Sequence, residues 1–180
     1  MAVACETVFF SLPGVIAVMT HSLRLPVRIA FALSFLLPVA TGAAEEADAR
    51  ARSIAEKVTK EGAALFDNLD ASAIAATYAD QAVLTFLKDE NGAPAPEVRK
   101  GRREIEAFYN DVYQYFHETI KSRNVVERAK FVSPGVLAID GVFESNTLKP
   151  DSPKFPFHQV RREQNGKWQI LSMEILGYQP

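Results

Sequence analysis

Residues 155–175, FPFHQVRREQNGKWQILSMEI, constrain the fold more than any other stretch of this chain. Two runs of strand-forming residues flank Gln164-Asn165-Gly166, a strong hairpin signal. Two registers fit. A two-residue turn at Asn165-Gly166 places Arg161, Trp168 and Ile170 on one face with Glu163. A three-residue loop with Gly166 left-handed shifts the pairing by one residue and exchanges the faces. The second register sorts the charges better, because it keeps those near the turn away from Trp168. One face then carries Val160, Trp168 and Ile170 and continues into His158, Ser172 and Glu174. The other carries Arg161, Glu163, Lys167 and Gln169, then Leu171, Met173 and Ile175. Polar groups at the end of an apolar face are the usual composition of a ligand pocket.

Upstream of this hairpin the pattern changes from alternation to helical spacing. Residues 1–44 read as a leader: Arg24 and Arg28 precede an apolar run at 29–39, and small residues at 40–44 offer a cleavage site. Met19 is a plausible alternative start, and the expected destination is the periplasm or the medium. An uncleaved anchor built from both N-terminal apolar runs is the competing reading. Residues 45–180 then form one domain. The only cysteine, Cys5, falls in the leader, so the domain has neither a disulfide framework nor a thiolate nucleophile.

Within the domain, residues 45–69 read as one long amphipathic helix with Ala51, Ile54, Ala55, Val58, Leu65, Phe66 and Leu69 on its apolar stripe. Gly62 on that stripe suggests close approach of another element. Asp70 is the N-cap of a short second helix over 71–79. Residues 82–87 read as a strand and 88–100 as a loop, because Pro94 and Pro96 interrupt either regular element. A third helix opens at Gly101, with Ile105, Phe108, Tyr109, Val112 and Phe116 as its stripe and Tyr113 beside it. Strands at about 119–132, 136–145 and 154–163 precede the last one. Helices first and strands last predict an α+β domain with helices packed on one face of an antiparallel sheet.

Taken in order, Asp70, Tyr78-Ala-Asp80-Gln-Ala-Val83, Gly101-Arg-Arg-Glu-Ile105 with Phe108-Tyr109, and Gly166-Lys-Trp168-Gln-Ile170 resemble the nuclear transport factor 2-like superfamily, and within it the SnoaL-like group. The resemblance covers most of residues 50–177. It implies a cone-shaped α+β barrel, a strongly curved sheet round a long helix with a pocket at the open end. It also implies frequent dimerisation through the convex sheet face. The superfamily includes ketosteroid isomerase, scytalone dehydratase and polyketide cyclases, so fold alone does not assign a reaction. Many SnoaL-like members carry His where this chain has Ser172 and Glu174, so chemistry that depends on those His does not transfer.

His158 and Glu174 are the candidate catalytic pair: a carboxylate beside an imidazole raises its basicity for proton abstraction or water activation. Tyr78, Tyr109 and Tyr113 are candidate ligand-binding hydroxyls, with Trp168 and Ser172. The plainer explanation is that His158 and Glu174 satisfy each other at the sheet rim. Phe86, Phe108, Phe116 and Phe157 either line a pocket for a flat apolar molecule or pack as ordinary core. Asp140 and Glu144 share a strand face, as an acidic pocket with Glu174 or as a solvated side. Arg102-Arg103 and Arg161-Arg162 read as solvated or ion-paired, and His117 as a helix C-terminal cation.

No metal-ligand spacing, nucleophile elbow or phosphate loop is present, so neither cofactor nor metal is expected. A net charge of −2 gives no reason to expect a nucleic acid or, after leader cleavage, a membrane partner. Three functions remain: an exported small-molecule-binding domain, a cofactor-independent isomerase, dehydratase or cyclase, and a dimeric interaction module using Leu171, Met173 and Ile175 as its patch.

Overall fold

A computed structural model describes residues 40–116 and 119–177, with side chains from residue 44 onward. The leader up to residue 39 and His117 lie outside the described residues. Three helices and six strands follow in the order α1 (Ala40–Asp67), α2 (Ala71–Ala75), β1 (Tyr78–Glu90), β2 (Ala93–Lys100), α3 (Gly101–Tyr113), β3 (Arg123–Ser133), β4 (Val136–Glu144), β5 (Lys154–Gln164) and β6 (Lys167–Leu176). The strands form one curved sheet in the order β2-β1-β6-β5-β4-β3, and the helices pack on one of its faces.

Local chemistry sets the helix boundaries. Asp70 caps α2, its Oδ1 accepting from the Ala73 N–H at 2.9 Å, as the sequence predicted. Glu104 reaches back from the first turn of α3 to accept the Lys100 N–H at 2.9 Å. Asp67 ties the end of α1 to the sheet by accepting from the Ser122 N–H and hydroxyl at 2.7 and 2.6 Å. Ala51, Ala55, Val58, Ala63 and Phe66 of α1 are buried, at the periodicity that its stripe predicted.

Four sequence expectations are corrected. Residues 93–100 are a strand, not part of a loop. Asn91 and Gly92, both at positive φ, make a two-residue turn between Glu90 and Ala93. Pro94 and Pro96 are tolerated because β2 is an edge strand and, two residues apart, they turn the same side of the backbone outward. Second, α2 ends at Ala75 and the chain is already extended at Tyr78. Third, the sheet is not wholly antiparallel, since β6 lies parallel to β1 while its other pairings are antiparallel. The long excursion through β2, α3 and β3 to β5 lets the last strand return alongside the first in the same direction.

The fourth correction concerns the terminal hairpin. Gln164 pairs with Lys167, and Asn165 and Gly166 sit at φ 53° and 74°, so the turn has two residues and not three. A β-bulge then follows: Arg161 pairs with Ile170 but Val160 with Ser172, leaving Leu171 without an opposite residue. Trp168 and Ile170 before the bulge, and Met173 and Ile175 after it, therefore all face the helices. Met173 and Ile175 pack inward, and Leu171 packs against the core, so they do not form an outer apolar patch.

Candidate functional site

The register arranges the helix-facing side chains in rows across the sheet. Arg161 of β5 stands opposite Ile170 of β6, which pairs with Tyr78 of β1. The next row is Gln159, Met173 and Leu84, and the one beyond is Phe157, Ile175 and Phe86. Phe157 can fold inward because its neighbour on β4 is Gly141, where an added Cβ would stand 2.9 Å from the Phe157 ring. Between these rows and the helices is a cavity of about 640 Å³. Its walls are mostly apolar, with Phe66 from α1, Ile74 from α2 and Phe108, Val112 and Phe116 around α3. The β4–β5 connection, from Ser145 to Pro153, forms part of its rim.

On the sheet side, around the row of Tyr78, Ile170 and Arg161, the polar lining is the Tyr78–Tyr109 pair and Arg161 with Gln159. The Tyr78 and Tyr109 hydroxyls are 2.9 Å apart, and both rings are buried. Burial, followed by the neighbouring Tyr109, pushes the Tyr78 hydroxyl well above the ordinary tyrosine range, and burial raises that of Tyr109. Both are therefore neutral hydrogen-bond donors at physiological pH. Arg161 is only 5% exposed. Its Nε donates to Gln159 Oε1 at 2.6 Å and its Nη1 to the Trp168 carbonyl at 3.2 Å. Burial draws its pKa down to about 10, against the opposing pull of Tyr78, Glu61 and Tyr109.

A second hollow, lined by Lys57, Glu61, Lys167 and Trp168, meets the first at Gly62, Thr77 and Arg161. Gly62 does not serve close packing, since a Cβ built there has nothing within 4 Å. It leaves a gap in the inner face of α1 onto which both hollows open.

The predicted site residues divide. Tyr78 and Tyr109 line the cavity. Tyr113 is buried edge-on to Phe66 at 5.2 Å, outside the lining, and its hydroxyl has no hydrogen-bond partner among the described residues. Trp168 packs near Phe131, with centroids 6.2 Å apart, and borders the second hollow. Ser172, His158 and Glu174 lie on the other face of the sheet. Ser172 pairs with Val160 and Val83 there, and His158 with Glu174. The His158 side chain is 49% exposed and its Nδ1 is 2.7 Å from Asp140 Oδ1; its carboxylate partner is Asp140 and not Glu174. The dyad expected on the cavity floor is thus outside it, displaced by the two-residue turn and the bulge.

Asp140 and Glu144 are the solvated-side alternative. Asp140 also accepts from Arg128 at 2.8 Å, and Glu144 pairs with Arg123 at 2.5 Å and Lys154 at 3.3 Å. Arg102 is paired, as expected, with Asp80 at 2.9 Å. Arg161 is not, and together with Gln159 it is what sequence reasoning missed. The available signal was the shared parity of Phe157, Gln159 and Arg161 on one strand face, read in the register set by the two-residue Asn-Gly turn. Among the described residues, no cluster of three or more His, Cys, Asp or Glu is placed to hold a metal ion.

No family model matches the chain, and no curated protein is similar to it. Solved structures are similar in fold. One is a domain of unknown function with a cystatin-like fold from Nostoc punctiforme, at TM-score 0.58 and 14% identity, covering 73% of this chain and 79% of that one. A second is an NTF2-like protein of unknown function from Shewanella oneidensis, at TM-score 0.54 and 18% identity, covering 67% and 93%. A third is an NTF2-like protein with a cystatin-like fold from Novosphingobium aromaticivorans, at TM-score 0.52 and 12% identity, covering 77% and 89%. The chain has the NTF2-like, cone-shaped α+β fold that its sequence motifs resembled.

Proposed function

We propose that this chain is an exported small-molecule-binding domain that holds a predominantly apolar ligand between its helices and the inner face of its sheet. The observation that carries the reading is the cavity of about 640 Å³, apolar on most sides and supplied with convergent polar groups by Arg161, Gln159, Tyr78 and Tyr109. That size and composition are those of pockets that enclose small organic molecules. Export rests on the leader composition alone. The polar groups on the floor are hydrogen-bond donors and one amide, with neither imidazole nor carboxylate. They suit holding a ligand better than abstracting a proton.

Gly62 gives the test. A Cβ placed there meets nothing within 4 Å and Gly62 lines the cavity, so the longer side chain of Gly62→Met should take up space in it. Methionine is also the better helix former, by about 0.5–1 kcal/mol. The neutral fluorophore N-phenyl-1-naphthylamine should bind the native chain saturably, with one molecule per chain. Gly62→Met should weaken that binding by about tenfold or more while its melting temperature holds or rises. Absence of saturable binding to the native chain, or unchanged binding to a stably folded Gly62→Met chain, refutes the reading.

A further inference from the structure

Arg161 is the feature that a purely apolar site does not explain. A guanidinium in an apolar wall is costly unless a counter-charge faces it. Here none does: among the described residues no carboxylate forms an ion pair with Arg161, and the exposed Glu61 acts on it only through its longer-range charge. Its acceptors are an amide oxygen and a main-chain carbonyl, both neutral. A guanidinium carries five N–H donors in a planar fork, and these two bonds occupy two of them.

The neighbouring hydroxyls act in the same direction. In the Tyr78–Tyr109 pair one hydroxyl donates to the other, which leaves one phenolic proton to give elsewhere. Arg161 feels both tyrosines electrostatically, and it shares a cross-strand row with Tyr78 through Ile170. The floor is therefore rich in donors and holds one cationic group. The other charged lining residues, Lys149 and Asp151, have opposite signs and stand on the rim connection. A single buried positive charge matches a single negative one, and a planar fork matches a carboxylate. A dianionic phosphate would be left half-compensated. Above the floor, Phe86, Phe108, Phe143 and Phe155 offer apolar surface to the rest of such a molecule.

We propose that the cavity takes an apolar monocarboxylate, with its carboxylate on the Arg161 guanidinium beside the Tyr78–Tyr109 hydroxyls and its hydrocarbon or aromatic body along the phenylalanine wall. This rests on the cavity being a ligand site, as argued above, and adds the chemical class of the ligand.

Titration calorimetry of the full chain with decanoate, decanol and decylamine tests it near neutral pH. Decanoate should bind about tenfold or more tighter than decanol, the difference a charge-assisted pair makes over a neutral one, and decylamine should bind weakest. Arg161→Met, of similar length and without charge, should erase or invert the preference for decanoate over decanol. Arg161→Lys should retain part of it, since the charge remains and the fork is lost. If either variant fails to fold, the decanoate-to-decanol ratio of the native chain still decides. Equal affinities in the native chain, or an undiminished decanoate preference in Arg161→Met, overturn the assignment of the anion while leaving the cavity as a binding site. If no probe binds, both readings fall.

Discussion

The hydroxyls of Tyr78 and Tyr109 illustrate how single atoms decide behaviour in this interior. Each ring is buried, and each hydroxyl has the other as its hydrogen-bond partner at 2.9 Å. Removing one hydroxyl leaves the other buried and unpaired, which costs about 1–3 kcal/mol. Removing both deletes the second penalty. In a double-mutant cycle, Tyr78→Phe with Tyr109→Phe should therefore cost less than the sum of the single changes, with a coupling of about 1 kcal/mol read from urea midpoints. Strict additivity would show that the two hydroxyls find other partners. Arg161 is the complementary case, a buried polar group whose neutral partners leave its charge uncompensated.

At the scale of elements, the hairpin of β5 and β6 positions the site. Its two-residue turn sets the first pairings and the bulge at Leu171 resets the rest, so apolar residues on both sides of the bulge face inward. Without the bulge, Met173 and Ile175 would sit on the outer face and Ser172 and Glu174 would enter the cavity. The β4–β5 pairing depends on Gly141 in a comparable way. An added Cβ there would crowd the Val125 carbonyl of β3 and stand 2.9 Å from the Phe157 ring. The carbonyl belongs to the backbone and cannot turn aside. Gly141→Ala should thus destabilise the chain by about 1–3 kcal/mol, outweighing the few tenths gained from a stiffer unfolded chain. Thermal unfolding should register this as a loss of several degrees in Tm, and an unchanged Tm would show that β3 and β4 are looser here than their register implies.

At the scale of the whole molecule, the ion pairs of β3, β4 and β5 occupy the outer face of the sheet, and its inner face is mostly apolar away from Arg161 and Gln159. The outer face carries Asp140 between His158 and Arg128, and Glu144 between Arg123 and Lys154. Partial burial raises the Asp140 pKa, but the hydrogen bonds from His158 and Arg128 together outweigh that and hold the carboxyl below its usual range. A carboxylate with a lowered folded-state pKa contributes stability above its unfolded pKa and loses it as pH falls through the folded value. Acidification below about pH 4 should therefore lower the Tm of the native chain more than that of Asp140→Asn. The Asp140 side chain is 28% exposed and its partners are more so, and solvent screening keeps the difference under about 1 kcal/mol; coincident acid profiles would show that these bonds hold no weight in solution. The sequence alone carried the α+β order, the α1 stripe, the Asp70 cap and the inward aromatics of α3, because each follows from spacing within one element. It also contained the Asn91-Gly92 and Asn165-Gly166 turns, whose local chemistry was legible although competing signals, two prolines in one case and charge sorting in the other, argued against them. Which of the two hairpin registers holds, and where the bulge falls, was settled only when the strands paired. The two-residue turn pairs Arg161 with Ile170 and so puts the guanidinium on the cavity floor and His158 on the far face, while the bulge at Leu171, a property of two strands paired, turns Met173 and Ile175 inward and leaves Ser172 and Glu174 outside.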